Sequence, residues 1–79
     1  RMKSVTVYSR TGCHLCETAI SKIELVHQDL NFNLEVRLID GNPELEKQFG
    51  EQIPVILIDD QPHDYWRVDV ERFTAAINS

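Results

Sequence analysis

Two cysteines three residues apart, Cys13 and Cys16, carry the chemistry this sequence offers most clearly. A thiolate, not a thiol, attacks a disulfide, so a useful cysteine needs a lowered pKa. Cys13 stands where a strand-like run gives way to a helical pattern, at or just before the first helical turn. Unpaired amide N–H groups and the positive end of the helix dipole favour an anion there. Arg10 and His14 add positive charge on either side, although a histidine is mostly neutral at pH 7. Free cysteines titrate near ~8.5 and C-x-x-C motifs at ~3.5–7.5, and Cys13 is expected in the upper half of that range. Cys16, about one turn on, lies on the same helix face and is expected to be the more buried of the two. The pair then acts as a dithiol, with Cys13 taking a mixed disulfide from a substrate and Cys16 resolving it. Thr11 either donates to a bound sulfur or caps the helix, and Leu15 offers an apolar docking surface beside the pair.

Other chemistries compete for the same residues. A C-x-x-C is also half of a structural zinc site, but such a site wants four ligands. The remaining candidates are His14, too close in sequence to serve with both cysteines, and the isolated His27 and His63. No metal ligands are therefore assigned. A purely structural disulfide over so short a loop would remove little chain entropy. Two alternatives stay open: a metal or iron–sulfur carrier bridged across a dimer through Cys13, and an adaptor that binds partners without turnover.

The elements that must hold the turn can be read around it. Residues 3–9, with Val5, Thr6 and Val7, suit a buried strand. Thr11 and Gly12 break the pattern, and from His14 apolar residues recur at helical spacing through Leu15, Ala19, Ile20, Ile23 and Leu30. Residues 34–39 alternate apolar and polar and end at Asp40-Gly41. Strand, helix and strand in this order form a right-handed βαβ unit with parallel strands. Asn42 and Pro43 open a short second helix as N-cap and first helical residue, and Gly50 closes it. Residues 53–58 are the most apolar run and are placed centrally in the sheet. Pro54 at its mouth costs a ladder donor, which a cis Ile53–Pro54 bond turning the backbone outward would explain. Residues 59–62 read as a turn, 63–68 as an antiparallel edge strand, and Asp69 as the cap of a last helix with Val70, Phe73, Ala76 and Ile77 inward.

The totals bound the answer. Seventy-nine residues make one domain, 1–79, with 42% hydrophobic and 27% charged residues, a globular balance. No apolar run approaches the ~18–20 residues of a membrane span, and no signal-peptide pattern is present, as would also hold for a processed chain. Arg1 ahead of Met2 reads as a residue left in front of a natural start. Eight scattered Lys and Arg against thirteen acids, net −5, argue against nucleic acid as a partner. Two close cysteines fit redox chemistry in a reducing compartment, so a cytoplasmic setting is expected; a monomer is expected as well.

The strand, then Ser9-Arg10-Thr11-Gly12-Cys13-His14-Leu15-Cys16, then the helix, with the later Gln52-Ile53-Pro54-Val55, resembles the thioredoxin-like superfamily, and within it the small bacterial glutaredoxin-like proteins. The resemblance spans essentially the whole chain. It implies an α/β, three-layer fold of order β-α-β-α-β-β-α with a four-stranded mixed sheet. It implies catalysis by Cys13 and Cys16 on protein or small-molecule disulfides, with no resident cofactor. Ile53 and Pro54 would form the backbone platform that pairs with a bound peptide or glutathione, and Arg10 would meet a glutathione carboxylate. Glutathione or a thioredoxin-type reductase would supply electrons. Two features depart from the family pattern. His14-Leu15 replaces Pro-Tyr between the cysteines, and residues 64–69 lack the Gly-Gly stretch that holds the γ-glutamyl end of glutathione. Tyr65, Trp66 and Arg67 instead fill or reshape that groove, with Trp66 also placed to cover the core from an edge strand.

Overall fold

Residues 2–79 are described by the computed structural model, and Arg1, with the expectation attached to it, lies outside them. The order is β1 (Ser4–Ser9), α1 (His14–Asp29), β2 (Asn33–Leu38), α2 (Pro43–Phe49), β3 (Val55–Ile58), β4 (Gln61–Tyr65) and α3 (Val70–Asn78). The four strands form one sheet in the order β2-β1-β3-β4. β2 runs parallel to β1, while β3 is antiparallel to both β1 and β4. The apolar run of β3 therefore lies inside the sheet, where Val55 and Ile56 lose all contact with solvent.

Alternation along β1 divides the core in two. Val5 and Val7 point to the face covered by α1 and α3, joining Ala19, Ile23, Phe73, Ile77 and, from β3, Ile56. Tyr8 points to the opposite face, where Leu45 and Phe49 of α2 meet Ile39, Ile53 and both cysteines. Helices on both sides of the sheet give three layers. Each helix begins on a side chain suited to the task. Asn42 Oδ1 accepts from Leu45 N–H at 3.2 Å, and Asp69 Oδ1 accepts from Arg72 N–H at 3.2 Å.

Two local expectations are corrected, the extent of the β3–β4 turn and the inward place of Val70, and β2 proves to be an exposed edge. The β3–β4 turn is only Asp59-Asp60, both in the left-handed region at φ 50° and 67°, which short acidic side chains tolerate. β4 thus begins two residues early, at Gln61, and accommodates Pro62 because it is an edge strand with a register irregularity opposite Leu57. In β2, Leu34 is half-buried but Val36 and Leu38 are exposed, since the helices covering Val5 and Val7 do not reach this edge. Val70 is also exposed. It rims a hollow of about 370 Å³ between α1 and α3, opposite Leu25, Val26 and Leu30.

The packing of His63 is expected to make stability depend on pH just below neutrality. His63 stands edge-on to Phe73, with ring centroids 6.0 Å apart, and its buried Nε2 has no hydrogen-bond partner among the described residues. Burial, and then the Arg72 guanidinium, hold its pKa below 6.5, with Asp64 opposing them. Unfolded, the ring takes up a proton near pH ~6.5, while the folded ring resists until lower pH. The unfolded state then binds more protons, so stability is full above that pH and falls as acid approaches the folded-state pKa. The urea midpoint should drop between pH 7.5 and 5.5 in the parent and drop less in His63→Gln. Equal slopes would show that His63 is not the source.

Candidate functional site

The cysteines sit where β1 ends and α1 begins. β1 runs out at the buried Ser9, Gly12 adopts a φ of +75° that an L side chain rarely allows, and the chain turns directly into α1. Cys13 is the N-cap of α1, half-buried, and its N–H donates to Arg10 C=O at 3.2 Å. Its Sγ accepts the N–H of Cys16 at 3.2 Å, so an amide of the first helical turn already points at this sulfur. Cys16 is 1% exposed, and the two are joined as a disulfide with Cα atoms 5.2 Å apart. One sulfur therefore lies near the surface and the other directly beneath it.

The other residues named from the sequence divide into those that gather here and those that do not. Ile53 is buried in the same cluster as both cysteines, and the Ile53–Pro54 bond is cis. Gln52 and Pro54 carbonyls both accept from Trp66 N–H, at 3.3 and 2.8 Å, whereas the Ile53 backbone makes no hydrogen bond within the described residues. A backbone N–H and C=O left unpaired beside a buried side chain is uncommon. Leu15 and Trp66 are each 56% exposed on the rim, so Trp66 does not serve as a core cover. Its indole N–H donates to Glu51 C=O at 2.8 Å, tying it to the loop before Pro54. His14 is exposed as the first residue of α1, and its carbonyl accepts from the Thr18 hydroxyl. Arg10 reaches to the end of α2, where its guanidinium donates to Gly50 C=O at 3.3 Å.

Thr11 neither caps α1, a role Cys13 takes, nor is left loose. Its N–H donates to Asp40 Oδ2 at 3.0 Å. The Thr11 side chain, then its N–H, and more weakly Arg10, hold the Asp40 carboxyl below the usual range. Asp40 is thus a positioning residue for the turn that the sequence reading missed. The signal was the parallel register: Ser9 lies opposite Leu38, so two residues further each strand brings Thr11 and Asp40 together. Asp40→Ala should slow the reaction of the reduced Cys13 thiol with a small disulfide by about three- to tenfold, the weight of one hydrogen bond. Asp40→Asn, which keeps an acceptor, should recover most of that loss. If both variants matched the parent, the turn would need no such anchor.

Among the described residues no three His, Cys, Asp or Glu side chains converge as a metal site. No helix among them is long and apolar enough to cross a membrane.

Comparison with known proteins gives a consistent answer. Residues 4–78 match the glutaredoxin-like domain family (DUF836). An uncharacterised protein of Mycobacterium tuberculosis is 33% identical over 78 residues, covering 92% of this chain and 80% of its own. Among solved structures, the solution structure of a Nitrosomonas europaea protein is similar with a TM-score of 0.83 and 30% identity, covering 98% of this chain and 93% of that one. A Fasciola hepatica thioredoxin, 16% identical and covering 98% of this chain and 79% of its own, shares the fold with a TM-score of 0.65.

Proposed function

The chain belongs to the glutaredoxin-like domain family, within the thioredoxin-like superfamily, and from that premise we propose that it is a thiol–disulfide oxidoreductase with Cys13 as nucleophile and Cys16 as resolving thiol. Family, fold and the C-x-x-C pair together support thiol-redox function. The observation that carries the finer reading is the unequal setting of the two sulfurs. Cys13 caps a helix, half-open to a partner, with the Cys16 N–H directed at its Sγ, and Cys16 is shut in below.

The chemistry follows from that setting. In the reduced protein the helix-end amides stabilise the Cys13 thiolate. It attacks one sulfur of a substrate disulfide, forming a mixed disulfide and expelling the other sulfur as a thiolate that takes up a proton. Cys16 then loses its proton and attacks Cys13 Sγ, which closes the Cys13–Cys16 disulfide and releases the second substrate thiol. Two electrons have passed to the substrate, and an external dithiol, or two equivalents of a monothiol, returns the protein to its reduced form. The unpaired Ile53 backbone beside Pro54 suits the main chain of a polypeptide substrate in extended form, and Leu15 gives it an apolar rim. Substrates are protein or small-molecule disulfides, met by a monomer in a reducing compartment such as the cytoplasm, without a resident cofactor.

The electron donor is where this chain departs from an ordinary glutaredoxin. Trp66 and Arg67 stand in the stretch where glutaredoxins, which the chain resembles, keep glycines for glutathione, and Arg10 is engaged with Gly50 C=O. Turnover of 2-hydroxyethyl disulfide, followed by NADPH consumption, should therefore be faster when coupled through thioredoxin reductase than through glutathione and its reductase. Absence of turnover with either, and with dithiothreitol, would reject the enzymatic reading.

A further inference from the structure

Beside the redox turn, on the side away from α2, lies a hollow of about 170 Å³. One wall is the α1 stripe of Leu15, Thr18 and Lys22, which leads away from the cysteines; the other is Trp66, Arg67 and Val68. Trp66 forms this wall by construction. It holds a φ of +67°, a conformation a bulky side chain rarely adopts, and its backbone N–H and indole N–H are fixed at 2.8 Å by Pro54 and Glu51 carbonyls. An indole that is 56% exposed and anchored in this way is held out beside the hollow instead of packing into the core.

The hollow also carries its own charge. The chain carries a net −5, yet the hollow is rimmed by two cations and no acid lines it. Elsewhere Arg37 and Arg72 are paired with Glu35 and Asp64, and Lys3 donates to Ala76 C=O and Ser79 Oγ. Lys22 and Arg67 make no ion pair among the described residues. Apolar walls with two unpaired cations suit an apolar side chain next to a carboxylate. Nine helical positions separate Lys22 from Cys13, a rise of roughly 13 Å, which an extended chain spans in about four residues. Glutathione carries its carboxylates closer to its cysteine than that.

We propose that this hollow is a specificity subsite for polypeptide disulfides, taking a bulky apolar residue and an acidic residue about three or four positions from the target cysteine. The proposal rests on the thiol–disulfide reading and adds the substrate class to it. Peptides with one cysteine capped by thionitrobenzoate, carrying leucine and glutamate at that spacing on either side, serve as probes against leucine–lysine and serine–glutamate counterparts. Reduced parent protein should favour leucine–glutamate over leucine–lysine in kcat/KM by about five- to tenfold at low salt, narrowing as salt rises. The leucine peptides should also shift the fluorescence of Trp66, the sole tryptophan. In Lys22→Glu/Arg67→Glu, the ratio of the two rates within that one variant should invert. Equal rates for all three peptides in the parent, a ratio unmoved by charge reversal, or capped glutathione outpacing every peptide would overturn the subsite. Failure to reduce 2-hydroxyethyl disulfide as well would instead overturn the exchange reading on which it rests.

Discussion

Cys13→Ser is expected to bring turnover of a small disulfide down to the uncatalysed rate, a loss on the order of 10³-fold or more, while Cys16→Ser performs the first step and stops. The asymmetry comes from position. Cys13 Sγ is the sulfur that faces outward at the helix end and receives an amide N–H, so a serine there leaves no thiolate that a substrate can reach. Cys16 is 1% exposed and packed against Ile39 and Ile53, where an incoming disulfide cannot approach. With Cys16 changed, the mixed disulfide on Cys13 has no internal thiol to resolve it and accumulates until an external thiol attacks. Rapid-mixing kinetics separate the two steps, and peptide mapping locates the adduct. The reverse pattern, with adducts on Cys16 in Cys13→Ser and full turnover, would assign the nucleophile to the wrong sulfur.

The largest effect on folding is expected from Phe73→Ala. Phe73 is fully buried in α3 and packs edge-on against Phe32, with ring centroids 5.7 Å apart, in the cluster that also holds Val5, Val7, Ile23 and Ile56. Removing a buried phenylalanine costs about 3–5 kcal/mol in lost transfer energy and residual cavity. A domain of this length has about 4–12 kcal/mol in all, so the variant should be partly unfolded at 37 °C. Ile77→Val, on the same helix face, should cost only about 0.5–1.5 kcal/mol. Urea unfolding checks both. A Phe73→Ala midpoint within 1 M of the parent's, which at a slope of about 1–3 kcal/mol/M leaves little room for such a loss, would mean that α3 is not the lid of the main core.

What the sequence reveals is the part whose cause is local. β1, the Gly12 turn and α1 follow from β-branched residues, a breaker and helical spacing, and the C-x-x-C falls at their junction. The N-caps Asn42 and Asp69 are equally local. The errors arise where a residue's meaning depends on a neighbour distant in the chain. Pro62 reads as a turn residue until the β3–β4 register sets it opposite Leu57, and the alternation of β2 says nothing of which helix covers it. Val70 follows the inward pattern of α3 but overhangs a gap that α1 leaves open. The same holds for the site. Cys13, Cys16, Ile53 and Pro54 can be named from the chain alone, whereas Asp40 needs the β1–β2 register, and Lys22 with Arg67 needs the α1 face set against the segment before α3.

In the proposed mechanism two sulfurs of one chain act in sequence and end joined to each other. A single-turnover reaction of fully reduced protein with one equivalent of 2-hydroxyethyl disulfide tests it most directly, with products alkylated at low pH and read by intact mass. Loss of both free thiols, an unmodified chain mass bearing one internal disulfide, and two 2-mercaptoethanol molecules released per chain are expected. A chain that retains one alkylatable thiol and carries a stable 2-mercaptoethanol adduct on the other would contradict it.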